Sequence, residues 1–393
     1  MRDPIPRADS LSTAPLPSTF AAWHRDFTDR GTLPLIAVAG SRGKTTVVRL
    51  LDAIYRTSGL RTATWTNCGV EVDGRCQPGE LNPWAAVLAA LRSGRIDVAI
   101  QELDWPVVHV VGLPSGSYPV VVVTNVCGND RACSARPEAR RARQAMATVV
   151  ASVHPRGVVV LNGEDFAVAE ASRLCATPAI MVALSRDAPR LRAHLASGGM
   201  AAWATADGLA IGSSWVLIRL CSPGELGFAL GGHAGFQLHN ALTAAAVALA
   251  CGIGPDVVAR ALCSFGGAAE PVLESFNVVT AAGTTVVVDR PAPSWFLRPV
   301  LRAVTSLTHR PFLTVVGGLT AVPDFDLAEV GRLIGQRSAA LILHSVARTS
   351  ARAALLRQGL AHSEAPPVVI HVPNEQQALN RALWLARARD ALL

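Results

Sequence analysis

Residues 36–51 read IAVAGSRGKTTVVRLL. An unbroken apolar run enters a glycine-bearing turn, and a helix-forming stretch follows at once. An apolar run of that length suits a strand buried on both faces, which is the mark of a parallel sheet covered by helices. The turn holds a compositional anomaly. The chain has 36 basic residues, and Lys44 is the one lysine among them; every other basic position is arginine. That bias resembles codon usage, so the position that keeps its lysine needs an ammonium. A lysine is a compact point charge, whereas a planar guanidinium needs more room.

The rest of the chain repeats the alternation of strand and helix. RTATWTN, IDVAIQEL, YPVVVVTNV and GVVVLNGED are short strands, separated by helical stretches such as WAAVLAALRSG and PEARRARQAMATVVASV. This pattern predicts an α/β fold with a doubly wound, mostly parallel central sheet. Between about Met200 and Gly232 short strands and turns predict a small antiparallel insert. HNALTAAAVALACG and GPDVVARALCSF are then helices. A second, smaller α/β unit opens near Asn277 with a hairpin, NVVTAAGTTVVV, whose turn is Ala281-Ala282-Gly283. It ends just after the helix NEQQALNRALWLARAR. The expected organisation is a flexible segment over 1–32, a central domain over 33–270 and a C-terminal domain over 271–393.

Composition narrows the partners. The net charge is +7, but aromatic residues make up only 5%, and no nucleic-acid signature accompanies the charge. Small anions fit better than nucleic acid. The eight cysteines include no CxxC pair, and Cys127 and Cys133 have no histidine near them in sequence to complete a zinc set. They read as buried reduced thiols. The N-terminus lacks the apolar core of a signal peptide, and no apolar run reaches the length of a membrane span. A cytoplasmic location without a membrane span is expected.

Gly40-Ser41-Arg42-Gly43-Lys44-Thr45-Thr46 has the chemistry of a phosphate cradle. Glycines let backbone N–H groups face an anion, and the following helix N-terminus adds its positive end. Lysine reaches the β- and γ-phosphates, and the adjacent hydroxyl of Thr45 can bind Mg²⁺. The loop departs from GxxxxGK[ST], because Val38 stands at the first glycine.

GxxGKTT after an apolar strand resembles the loop of the Mur ligase superfamily. GVEVDGRCQPGELNPWAAVLAAL, VVTNV, VVLNGED, the HNALTAAAVALACGI stretch, ALCSF and VGRLIG follow in order, and they resemble the Mur-like half of cyanophycin synthetase. The resemblance covers roughly residues 33 to 390. It includes neither the UDP-binding domain of the peptidoglycan ligases nor the ATP-grasp half of cyanophycin synthetase. It implies an ATP-dependent ligase that activates a carboxylate as an acyl phosphate for attack by an amine. ATP and Mg²⁺ are the implied cofactors, and an amino acid or other amine and a carboxylate acceptor the implied substrates. Lys44 and Glu102 match the catalytic positions. Residues 40–46, Asn240 and Asp289 match nucleotide-binding positions. Thr45, Glu102 and Asp130 match metal positions, with Asp130 standing where relatives carry histidine in TNxxxDH. Asn240 is expected to open its alanine-rich helix.

Three departures weigh against turnover. No lysine remains for the carbamylated position of many relatives. Leu273-Glu274-Ser275 replaces a turn that carries an arginine. Asp289-Arg290-Pro291-Ala292-Pro293 replaces DYAHNP. They leave an alternative, a catalytically degenerate ATP-binding subunit acting as scaffold or regulator, with a partner subunit or homo-oligomer. Five arginines between Arg131 and Arg143 suit an acidic polymer or a solvated helix face.

Overall fold

The computed structural model describes residues 16–171, 175, 177–266, 276–281, 284–307, 311–317, 319, 322–386 and 391–393. They fall into two compact units. The first comprises the residues up to Gly227 together with Gln237–Phe265. The second comprises Phe228–Phe236 and the residues from Gly266 onward. Residues 228–236, read above as part of the central domain, thus pack with the second unit.

The first unit carries β1 (Leu35–Ala39), β2 (Thr62–Thr66), β3 (Gly69–Val72), β4 (Arg75–Gln77), β5 (Val98–Leu103), β6 (Tyr118–Val123), β7 (Val153–Asn162), β8 (Ala179–Val182), β9 (Met200–Thr205), β10 (Gly208–Gly212) and β11 (Leu217–Arg219). They form a single sheet in the order β11-β10-β9-β8-β7-β6-β1-β5-β2-β3-β4. The strands from β9 to β2 are parallel, and antiparallel ribbons finish both edges. The antiparallel segment expected over 200–232 is therefore an extension of the main sheet. The second antiparallel edge, β3 with β4, went unread.

Its helices are α1 (Phe20–Thr28), α2 (Lys44–Thr57), α3 (Leu81–Arg92), α4 (Trp105–Val111), α5 (Arg131–Ser134), α6 (Pro137–Ala151), α7 (Phe166–Ala171), α8 (Pro189–Ala196), α9 (Gly235–Ala250) and α10 (Pro255–Ser264); the first two residues of α9 fall in the second unit. All residues of β1 and β6 are buried, as a strand covered on both faces requires. α2 lays Val47, Leu50, Leu51 and Ile54 into the core.

α1 corrects the expectation of a flexible segment over 1–32. Thr19 caps it by accepting the N–H of Ala22, and Trp23 and Phe27 are buried. Phe20 stacks within 6.0 Å of Tyr55. Two bulky aromatics four residues apart give a short helix an apolar stripe worth burying. Residues 1–15 lie outside the described residues.

The second unit has β12 (Asn277–Ala281), β13 (Thr284–Val288), β14 (Phe312–Val316), β15 (Ser338–His344), β16 (Val368–Val372) and β17 (Ala391–Leu392). Its helices are α11 (Ser294–Leu307), α12 (Leu327–Gly335), α13 (Ala351–Leu360) and α14 (Glu375–Leu385). The sheet order is β12-β13-β17-β14-β15-β16, parallel except for the β12–β13 hairpin. The hairpin turn at 282–283 and the segment 273–275 lie outside the described residues. β17 is a further correction, since the chain does not stop after α14: Ala391 and Leu392 insert between β13 and β14. Two residues show no periodicity, so only the neighbouring strands reveal them. Among the described residues no helix is long and apolar enough to cross a membrane.

Candidate functional site

The first unit gathers its polar groups at the carboxyl ends of three neighbouring strands, β6, β1 and β5. After β5 the chain crosses to the other side of β1, so the strand order reverses there. Crevices at such reversals are where open α/β sheets bind ligands. β1 runs into the Gly40–Thr46 loop, and α2 starts at Lys44 with Gly43 as its N-cap.

Gly43 sits in the left-handed region at φ 82°, and α2 has no side-chain cap. The first N–H groups of any helix lack intrahelical partners. Here they stand at a helix end with a positive field and no capping oxygen, a setting for an anion. Gly40 has φ 135°, and a Cβ on it would fall 2.1 Å from Oγ1 of Thr124. The loop can therefore lie against the end of β6 only with glycine at that position.

Thr124 and Asn125 hold the loop from below. The Ser41 N–H donates to the Asn125 carbonyl at 2.8 Å, and the Arg42 N–H donates to Asn125 Oδ1 at 2.9 Å. The Arg42 carbonyl accepts from Thr124 Oγ1 at 2.7 Å and from Asn125 Nδ2 at 3.0 Å. With these backbone groups occupied, the loop shape is fixed before any ligand arrives.

Lys44, Thr45 and Glu102 converge. The β1–β5 register sets Glu102 beside Val38. Thr45 Oγ1 donates to Glu102 Oε2 at 2.8 Å, and Lys44 Nζ lies 3.3 Å from Glu102 Oε1. The Lys44 and Glu102 side chains are only 12% and 11% exposed, so the pair is screened less than a surface ion pair. Asn67, in the turn after β2, lies 3.3 Å from Thr45 through Oδ1. The sequence reading missed Asn67; its place beside a strand end was the available signal.

Asn240 does not open its helix. α9 begins at Gly235, which puts Asn240 in the second turn, buried. Its Nδ2 donates to Gln237 Oε1 at 3.0 Å, and a Cβ on Gly43 would fall 2.5 Å from its Oδ1. The side chain thus lies against the phosphate-type loop. Asp289 follows β13 in the second unit, where its Oδ1 accepts the Arg290 N–H at 2.8 Å.

Asp130 is the N-cap of α5, and its Oδ1 accepts the Cys133 N–H at 2.8 Å. Among the described residues no group of three or more His, Cys, Asp or Glu gathers as a metal cage. A Thr45 hydroxyl beside one carboxylate still fits Mg²⁺, which keeps several waters and shares phosphate oxygens. Cys127 and Cys133, expected as reduced thiols, are instead bonded as a disulfide with Cα atoms 5.8 Å apart. The turn that makes Asp130 a cap brings the two cysteines together.

Asp165 is the strongest feature that sequence reasoning missed. It is fully buried. Its Oδ2 accepts the N–H groups of Val126, Cys127 and Gly128 at 2.8, 3.0 and 2.6 Å. Its Oδ1 accepts those of Ala167 and Val168 at 2.9 and 3.1 Å. One carboxylate therefore pins the segment after Thr124-Asn125 to the start of α7. The signal was Asp before a helix, in LNGED.

No protein-family model matches the chain. Among characterised proteins it is 24% identical over 369 residues to cyanophycin synthetase of Trichormus variabilis, covering 92% of this chain and 41% of that protein. The chain thus spans less than half the length of that relative. It is 25% identical over 300 residues to UDP-N-acetylmuramoyl-L-alanyl-D-glutamate–2,6-diaminopimelate ligase of Geobacillus kaustophilus, covering 72% of this chain and 57% of the ligase. The chain is thus similar to cyanophycin synthetase and to a Mur ligase. A bifunctional folylpolyglutamate synthase/dihydrofolate synthase, solved with Mn, AMPPNP and L-glutamate, has the same fold. Its TM-score is 0.62 at 15% identity, covering 96% of this chain and 90% of that one.

Proposed function

We propose that the chain is an ATP-dependent carboxylate–amine ligase. The observation that carries this reading is the convergence of Lys44, Thr45 and Glu102 at an uncapped helix N-terminus. An ammonium, a hydroxyl and a carboxylate so placed suit the polyphosphate of a nucleotide and its metal ion. The names of the relatives, all ligases or synthetases, support the same class.

In the proposed reaction a carboxylate oxygen of the acceptor attacks the γ-phosphorus of ATP. The bond to the β–γ bridging oxygen breaks and ADP leaves. An amine then attacks the acyl carbon, the C–O bond to phosphate breaks, and inorganic phosphate departs as the nitrogen loses a proton. Lys44 neutralises charge on the transferring phosphoryl group, and the first N–H groups of α2 hold the phosphates in place. Thr45 and Glu102 would hold Mg²⁺, which shields the phosphate charge. Asn240, whose side chain lies against the loop, is the proposed nucleoside contact. Asp130 caps α5 through its Oδ1. ATP use of this kind fits a cytoplasmic protein.

The test is phosphate release from ATP by the full chain with Mg²⁺, pooled amino acids and short acidic peptides. Amine-dependent release that Lys44→Ala lowers at least a hundredfold is the expected result. Release independent of any amine would overturn the reading.

A further inference from the structure

Cys127 and Cys133 flank the turn that leads from the floor of the phosphate-type loop to α5, and their sulfurs are bonded. The other six cysteines are free, and two of them, Cys76 and Cys263, are exposed. The bond spans a sequence separation of 6 residues. Cross-linking so short a loop removes less chain entropy from the unfolded state than a long-range bond would. The bond therefore adds little to the fold of the unit, and its effect is local.

Thr124 and Asn125 hold the loop at Ser41 and Arg42, and Cys127 follows two residues later. Its N–H donates to Asp165, and the residue is only 2% exposed. α5 buries none of its four residues, and a helix that short does not hold itself together. The Asp130 cap and a bond from Arg143 Nη2 to the Ser134 carbonyl at 3.5 Å assist it. The covalent tie to Cys127 fastens it to the floor of the loop. Cys133 is partly exposed, so a thiol in solution can reach its sulfur. In the cytoplasm, where ATP is used, disulfides are rare and typically of the reversible kind.

We infer that Cys127–Cys133 is a reversible exchange site for low-molecular-weight thiols, and that its bonded form firms the floor of the loop. The consequence for nucleotide rests on the proposed ATP site; the exchange does not. A thiolate attacks Cys133 Sγ, the bond to Cys127 breaks, and Cys127 leaves as a thiolate that takes up a proton. A second thiolate attacks the small molecule's sulfur in the mixed disulfide, and Cys133 leaves in the same way. Two small thiols are thereby oxidised to one disulfide, and the protein gains two electrons and two protons. The small disulfide reverses both steps. With the bond open, α5 loses its tie, Asn125 holds Ser41 and Arg42 less firmly, and nucleotide affinity falls.

The test equilibrates the full chain with reduced and oxidised glutathione over a range of ratios, traps free thiols by alkylation, and scores the Cys127–Cys133 pair by mass spectrometry. Amide exchange at Ser41, Arg42 and Ser134 and calorimetric titration with ATP and Mg²⁺ follow, on both redox forms and on Cys133→Ser. Melting curves check that each is folded. The pair should open and close reversibly with the ratio. Opening should speed exchange at the three amides at least fivefold and weaken ATP at least fivefold. Cys133→Ser should match the reduced form and ignore glutathione. A pair that never bonds, a bond that persists at every ratio, amide exchange unchanged on opening, or equal ATP affinity in the two forms would each overturn the inference. ATP bound by neither form, with the pair still titrating and the amides still responding, would sink the ATP site and leave the exchange site standing.

Discussion

The Thr45 hydroxyl donates to the Glu102 carboxylate at 2.8 Å across 57 residues of sequence. The contact joins the start of α2 to the end of β5, and Lys44 closes on the same carboxylate. Glu102→Gln keeps the shape and removes the charge. The expected outcome is at least a tenfold loss of Mg²⁺-dependent ATP affinity with little change in melting temperature. Titrating nucleotide with and without Mg²⁺ reads it, and an unchanged metal dependence would remove Glu102 from the metal set.

Gly40→Ala tests the loop's preorganisation. The new methyl would meet Thr124 Oγ1, and moving Thr124 breaks its bond to the Arg42 carbonyl. Overpacking of this kind costs about 1–3 kcal/mol. Nucleotide affinity should fall at least tenfold in calorimetry, with a matching drop in the urea midpoint.

Asp165→Ala leaves five N–H groups, four of them buried, without their acceptor. Each orphaned buried donor costs about 1–3 kcal/mol before relaxation. The expected outcome is a loss of about 3 kcal/mol or more by urea denaturation, and faster amide exchange at Val126 and Gly128. Hydrogen-exchange mass spectrometry reads the second effect. Unchanged exchange there would show that the carboxylate does not hold that segment.

His239 gives a pH dependence. It is partly buried, with its Nε2 shut off from water and without a hydrogen-bond partner, and desolvation pushes its pKa down to about 4 from 6.5. Because the folded value lies below the unfolded one, the unfolded chain binds more protons between pH 6.5 and 4. Stability is full above that window and falls as pH drops through it. Between pH 7.5 and 5 this group alone costs about 2 kcal/mol. His239→Gln should remove that part of the pH dependence. Urea midpoints of both proteins at the two pH values decide it.

The frame of the central site was legible because its signals are local. An apolar run, a glycine turn and a helix start are adjacent in sequence, and Glu102 stands at a recognisable strand end. Asp165 was not, since three of its partners lie 37–39 residues earlier and no periodicity links them. Asn240 was placed at a helix start because the alanine-rich run begins there, whereas α9 begins at Gly235. β17 has two residues and depends wholly on its neighbours. The Cys127–Cys133 bond depends on a turn that composition cannot show. Contacts set by tertiary structure are the ones the sequence conceals.

The central claim is that a carboxylate is activated as an acyl phosphate. The most direct measurement uses acidic peptides labelled with oxygen-18 in their carboxylates, incubated with ATP, Mg²⁺ and the stimulating amine. Acyl phosphate chemistry transfers one carboxylate oxygen to the released phosphate. The account predicts phosphate carrying one labelled oxygen for each amide formed, and none from Lys44→Ala. Unlabelled phosphate from the wild-type protein during turnover would contradict it.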